Sequence, residues 1–286
     1  MACSVAAARR GSGIECVSRL FQIATLLLVA AGPAAAQTGE IVNRSELKVC
    51  ADPNNLPFSD EKKEGFENKI AELIGAELGL TVDYTWFPQV TGFVRNTLRA
   101  HLCDLVTGTV AGDEVMQTTN PYYFTTYVMF YRSDKGLVLD GLQDPRLADL
   151  RLGVVAGTPP GDLLVRHDLM PHTRPYALMV DTRAESPTHQ MVQDVIDGTI
   201  DVGFLWGPIA AYYRKRDNLP LTLVPLKDEP GAARMEYHIA MGVRANEPEW
   251  RRRINAAILK RQPEITEILR DYGVPLLNEQ GELTSP

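Results

Sequence analysis

The chain has 286 residues, 45% of them hydrophobic, enough apolar material for one large core or two smaller ones. Acidic residues outnumber basic ones, 36 to 29, for a formal charge of −7 at pH 7. That balance excludes a strongly basic nucleic-acid face and suits either solubility or docking to a basic protein.

Arg9, Arg10 and Arg19 make a basic start, and Leu20–Ala31 is almost entirely apolar. Ala34-Ala35-Ala36 then supplies a small-x-small cleavage pattern before Gln37. Residues 1–36 read as a secretory signal removed after Ala36. The apolar run is about a dozen residues, short for a bilayer span. The mature protein is therefore expected to be soluble and exported, with no membrane insertion after cleavage. Cys3 and Cys16 leave with the signal, and Cys50 and Cys103 remain. Two cysteines in an oxidising compartment favour one disulfide. Cys50 lies near the end of one expected strand and Cys103 just before another. A bridge is possible if those strands are neighbours; an offset along them would leave two buried thiols. No Cys-x-x-Cys pair or His-rich spacing points to a metal site.

Leu47–Ala51 reads as a strand that runs into the turn-rich loop Asp52-Pro53-Asn54-Asn55-Leu56-Pro57-Phe58-Ser59. This puts Asn55, Leu56 and Phe58 at the carboxyl end of a strand, where open α/β sheets bind ligands. Phe66, Ile70, Leu73, Ile74 and Leu78 recur at helical spacing, and Gly79 ends that helix. Thr81–Phe87 is expected to be strand, Gly92–His101 helix and Asp104–Gly108 a buried strand. Tyr122–Arg132 is apolar, aromatic and too long for a simple edge strand. The scheme then restarts: strand to Val155, a Gly-Thr-Pro-Pro turn at 157–160, helix from Asp162, strand Tyr176–Val180, helix Ser186–Gly198 and strand Asp201–Leu205. A return strand, Tyr237–Arg244, and two helices, Pro248–Arg261 and Glu264–Tyr272, complete the chain. Consecutive β-α-β crossovers demand parallel strands. Two such halves without a linker place a cleft between them.

These landmarks resemble type II periplasmic solute-binding proteins of amino-acid ABC transporters. The matching residues are Pro57-Phe58, Gly65-Phe66-Glu67, Asn120-Pro121-Tyr122-Tyr123, Leu152–Thr158, Asp197–Val202 and Ile239–Arg244. The resemblance implies a periplasmic location and an α/β, periplasmic-binding-protein-like fold of class II. Two lobes, each with a mostly parallel sheet flanked by helices, would join through a two-strand hinge. Lobe I would cover 37–123 and return over 236–286; lobe II would cover 124–235. A narrower resemblance rests on Cys50–Ser59, Gly92–Leu98, Cys103-Asp104 and Trp206–Ala210. These are similar to MoxJ/XoxJ-type components encoded beside pyrroloquinoline-quinone methanol dehydrogenases. The resemblance implies a non-catalytic accessory role, with quinoprotein methanol dehydrogenase and its cytochrome c as partners. A monomer without cofactor is expected. The alternative is an ABC-transporter receptor for a small solute that is not an amino acid.

Amino-acid binders of this type grip the α-carboxylate with an arginine after the third strand and the α-amine with an aspartate in the second lobe. Here those places read Thr107–Gln117, with Asp113 and Glu114 but no arginine, and Leu205-Trp206-Gly207-Pro208. Both halves of the ionic clamp are missing. The expected cleft is instead largely aromatic: Asn55, Leu56, Phe58, Phe93, Thr109, Tyr122, Tyr123, Thr158, Trp206 and Tyr212, with Trp206 preferred. Asp52, Asp60, Glu61 and Glu64 read as solvated loop charges. The five histidines fit no catalytic or metal pattern. An acid at Asp113 or Glu114 would serve a dehydratase only if buried.

Overall fold

The computed structural model describes residues 44–184 and 186–284. The expected signal over 1–36 lies outside them. The first half contains β1 (Glu46–Ala51), the short β2 (Asn54–Asn55) and β3 (Ser59–Asp60), α1 (Phe66–Leu78), β4 (Thr81–Trp86), α2 (Phe93–Asn96), β5 (Leu105–Val110), β6 (Gln117–Thr118) and β7 (Tyr123–Arg132). The second contains β8 (Leu152–Val155), α3 (Pro159–Arg166), β9 (Thr173–Tyr176), α4 (Pro187–Ile196), β10 (Val202–Trp206), α5 (Gly207–Arg216) and β11 (Leu221–Pro225). β12 (Glu236–Val243) and α6 (Pro248–Asp271) follow.

One sheet runs β4-β1-β5-β12-β7 and the other β9-β8-β10-β7, with β11 on the free edge of β7. The β-α-β crossovers make β4, β1 and β5 parallel, and likewise β9, β8 and β10. β7, β11 and β12 add antiparallel pairs, so each sheet is mixed. β7 explains its own length. Tyr123–Thr126 pair with β12, and Tyr127–Arg132 pair with β10 and β11. The chain thus passes from one sheet to the other at Thr126-Tyr127. The buried Thr125 and Thr126 hydroxyls fasten this point, donating to the Pro275 and Leu226 carbonyls, each at 2.7 Å.

The first core packs α1 and α6 on the β1–β5 face, around Phe66, Ile70, Ile74, Trp250 and Ile265. The second lobe has one cluster on each side of its sheet, around Phe204 and Leu163 on one face and Phe130 and Met191 on the other. Three local expectations need correction. The helix expected over 92–101 stops at Asn96, because Thr97 leaves helical geometry (φ −124°, ψ −83°) and turns its hydroxyl back to the Phe93 carbonyl. The strand expected at 176–180 lies at 173–176, since its partner β8 ends at Val155. The two C-terminal helices are one, despite Pro263. The carbonyl that Pro263 leaves unbonded belongs to the exposed Leu259 turn, while buried Ile258 and Ile265 keep both halves in line.

Cys50 and Cys103 are joined, with Cα atoms 5.4 Å apart. β1 and β5 are neighbours, as the bridge requires. The Asp104 amide bonds to the Lys48 carbonyl, which starts β5 alongside β1 and offsets the stagger between the two cysteines.

Candidate functional site

The loop after β1 and the start of α1 form one unit. The Phe66 and Glu67 amides, unpaired at a helix start, donate to the Pro57 and Phe58 carbonyls at 2.8 and 2.9 Å. Gly65 is required for this approach: a Cβ there would collide with the Phe58 carbonyl. Phe58 and Glu67 are therefore carried to the same place. Phe58 packs edge-on against Phe66 at 5.4 Å. Glu67 is 5% exposed, and one carboxylate oxygen accepts from the Thr107 hydroxyl at 2.9 Å. Its other oxygen lies over Gly108, where any Cβ would displace it. Burial, reinforced by the nearby Asp52 charge, pushes the Glu67 carboxyl up to about 7, and the Thr107 bond opposes the rise.

Glu67 and Phe58 form part of the wall of a cavity of about 390 Å³. Gly108, Thr109 and Val110 come from β5, and Tyr123 and Tyr127 from β7. Trp206 closes one side from the end of β10, opposite Tyr127 in the register, and Tyr237 and Ile239 come from β12. Trp206, Tyr127 and Tyr237 meet edge to face, with centroids 4.8 to 6.2 Å apart. Gly207 lets α5 start directly behind Trp206, since a Cβ would strike the Thr126 carbonyl on β7. Burial raises the Tyr127 and Tyr237 phenols, so both rings stay neutral at physiological pH. Among the lining residues Glu67 is the single charged group.

Behind the lining Gln89, Asp52 of the first lobe meets Thr182 of the second. Asp52 is fully buried. Its carboxylate accepts from the Thr182 hydroxyl at 2.7 Å and from the Asn54 and Gln89 amides at 2.9 and 2.6 Å. The Asn54 side chain donates to the Thr182 carbonyl at 2.7 Å. Asp52 is therefore no solvated loop charge, and neither is Asp60, which is 6% exposed and accepts from the Glu64 amide. Glu61 and Glu64 are exposed.

Of the ten residues expected in the cleft, Phe58, Thr109, Tyr123 and Trp206 line the cavity. Asn55 stands behind it, donating to the side chain of the lining Gln89 at 3.0 Å. The other five lie elsewhere. Leu56 is half-buried in the loop and does not line the cavity. Phe93 packs with Cys50, Leu98, Cys103 and Val106. Tyr122 is buried in the first core, its hydroxyl donating to the Thr107 carbonyl at 2.7 Å. Thr158 closes the turn before α3 by donating to the Val155 carbonyl at 2.6 Å. Tyr212 stacks on Tyr272, 5.9 Å away, beside a separate surface groove. Asp113 is spent on its own turn, accepting from the Val115 and Met116 amides, and Glu114 is exposed on another groove. Glu67, Gly108, Tyr127 and Tyr237 were not expected at the site. Glu67 did carry a signal: it lies on the helical stripe of Ile70, Ala71 and Ile74, an acid on an apolar face. Among the described residues no cluster of His, Cys, Asp or Glu has metal-binding geometry.

Residues 47–275 match the profile of bacterial extracellular solute-binding proteins, family 3. The chain is 29% identical over 277 residues to protein MoxJ of Methylorubrum extorquens, covering 88% of this chain and 92% of that protein. The crystal structure of periplasmic binding protein XoxJ from Methylobacterium extorquens AM1 superposes with a TM-score of 0.69 at 39% identity, covering 82% of this chain and all of XoxJ. That of MxaJ from Methlophaga aminisulfidivorans gives 0.72 at 29% identity, over 81% of this chain and all of MxaJ. The two-sheet fold, the cavity at the crossing strands and these similarities converge: the chain belongs to the family 3 bacterial extracellular solute-binding proteins, as a MoxJ-, XoxJ- and MxaJ-like periplasmic binding protein.

Proposed function

We propose that this protein is exported to the periplasm by its cleaved N-terminal signal and serves there as an accessory factor of a quinoprotein methanol dehydrogenase. It acts without catalysing a reaction, by holding part of its partner in the cleft between the lobes. The observation that carries this reading is the character of the cavity. Among the described residues no Lys, Arg or His lines it, so they offer no paired ionic grip for a free amino acid. Five aromatic side chains take that place, which suits an apolar or aliphatic group presented by another molecule. Similarity to MoxJ and XoxJ directs the choice of partner.

Co-elution of the purified chain with the dehydrogenase tests this reading. The wild-type protein is expected to co-elute. Trp206→Ala is expected to weaken the complex about tenfold while costing no more than about 2 kcal/mol of stability, because Trp206 is only partly buried. A large loss of stability with unchanged binding would mark Trp206 as core. A second reading, a receptor for a small solute, draws on the cavity volume of about 390 Å³ and the Asp52–Thr182 contact between the lobes. It predicts thermal stabilisation by a small solute and no association with the dehydrogenase.

A further inference from the structure

The cavity joins two features that the accessory role alone does not call for. A carboxylate sits at its floor, nearly excluded from water, with no cationic side chain among the lining residues. Of its two oxygens, one accepts from Thr107; among the described residues the other has no hydrogen-bond donor. Three rings of the same lining, Trp206, Tyr127 and Tyr237, are inclined to one another by 65 to 73°. At those angles they pack edge to face instead of stacking, and all three line the cavity. Burying a lone carboxylate is costly unless a counter-charge joins it. Aromatic faces attract cations, and most strongly where water is excluded.

We propose that the cavity is an alkylammonium site. Glu67 holds the positive charge from the floor, and Trp206, Tyr127 and Tyr237 enclose the methyl or methylene groups that carry it. Gly108 is part of the design, because its missing side chain is the space in which the Glu67 carboxylate lies. This rests on the reading of the cleft as the binding site and deepens it by naming the chemistry of the occupant. Two sources offer that chemistry: a free alkylated amine, or a lysine side chain of the dehydrogenase. The groups facing Glu67 are Asp52 at the end of β1, the Thr107 hydroxyl on β5 and the Tyr122 and Tyr123 hydroxyls at β7. None supplies a positive charge, and Asp52 adds to the negative potential.

Choline and its neutral isostere neohexyl alcohol differ in charge and little in shape, so calorimetry on the full chain with both decides the matter. Choline is expected to bind at least about tenfold tighter. Its affinity should rise between about pH 6 and pH 8, as the Glu67 carboxyl, near 7, ionises. Glu67→Gln should abolish the pH dependence and reduce the preference to the part that the rings supply, and Tyr237→Leu should weaken choline more than the alcohol. Equal affinities, or no choline binding by a folded wild-type chain, would overturn the proposal. Displacement of bound dehydrogenase by choline assigns the charge to a lysine; simultaneous binding assigns it to a free amine. If the dehydrogenase co-elutes but choline does not bind, the site falls and the accessory reading stands. If choline binds and the dehydrogenase never co-elutes, the accessory reading falls and the site stands.

Discussion

Asp104 and Asp201 occupy the same point of the repeated scheme, one residue before the third strand of each lobe, yet their surroundings differ. Both receive an arginine. Asp104 takes Arg244 at 2.7 Å, Arg244 also takes Glu247 at 2.7 Å, and Glu247 takes Arg44 at 2.7 Å. All four side chains are at most 17% exposed. Asp201 takes Arg151 alone, at 2.7 Å, with the arginine 58% exposed. The difference comes from the return of the chain: β12 and α6 cover the first lobe and bring Arg244, Glu247 and Trp250 onto Asp104, whose carbonyl accepts from Trp250 at 3.0 Å. Among the described residues nothing equivalent covers Asp201, whose side chain is 30% exposed. The first lobe is thus a braced platform, also carrying the disulfide and the buried Glu67. The second lobe contributes Trp206 and Thr182 from a less braced frame.

Two parallel substitutions would break this comparison. Arg244→Met removes one of the two arginines shared by Asp104 and Glu247, leaving Arg44 as their remaining cation, and should cost about 2 to 3 kcal/mol in urea unfolding. Arg151→Met removes an exposed pair and should cost less than about 1 kcal/mol. Equal losses would show that the return segment braces nothing.

Glu67 sharpens the comparison, because it is the point where the braced lobe accepts a stability cost. Its carboxyl is raised from the ordinary 4.5 to about 7. Between those values the folded state binds a proton that the unfolded chain has released. Stability therefore falls as pH rises through that window and levels off above it. Glu67→Gln removes the slope and should stabilise the ligand-free protein by as much as about 3 kcal/mol above pH 7, where the wild-type group is ionised. Thermal unfolding between about pH 5 and pH 8 checks this. A variant as pH-sensitive as the wild type would place the cost elsewhere. A site that is less stable empty fits a group kept for binding.

The fold was legible because its signals are periodic. Apolar runs near Val49, Val106, Val154 and Phe204 marked the parallel strands, and the unusual length of Tyr122–Arg132 marked the strand that both sheets share. The missing ionic clamp was legible as well, since absence of an arginine in Thr107–Gln117 is a statement about sequence alone. The site itself was legible only in part. Phe58 and Trp206 stand at strand ends, where topology puts ligands. Tyr127 and Tyr237 lie inside strands, and only the crossing of β7 and β12 brings them to the cavity. Phe93 and Tyr212 carry the right chemistry, but their elements face the disulfide and Tyr272. Asp52 looked solvated because the donors that bury it include Thr182, distant in sequence, and the Gln89 amide.

The smallest expected effect concerns a contact between the lobes near the cavity, that of Asp52 with Thr182. Thr182→Val keeps the size and branching of the side chain and removes the hydroxyl that reaches Asp52. Asp52 retains the Asn54 and Gln89 amides, so it is not left unpaired. The loss should be about 1 kcal/mol. The Asn54 bond to the Thr182 carbonyl involves backbone and survives the change. Because the contact spans the lobes, its loss should act on exchange rather than on folding. Any cavity ligand should dissociate several-fold faster, with the melting temperature nearly unchanged. Stopped-flow dissociation followed by Trp206 fluorescence measures this. An unchanged rate would mean that closure is held by the shared strand β7, and that the less braced lobe needs no fastening through Thr182.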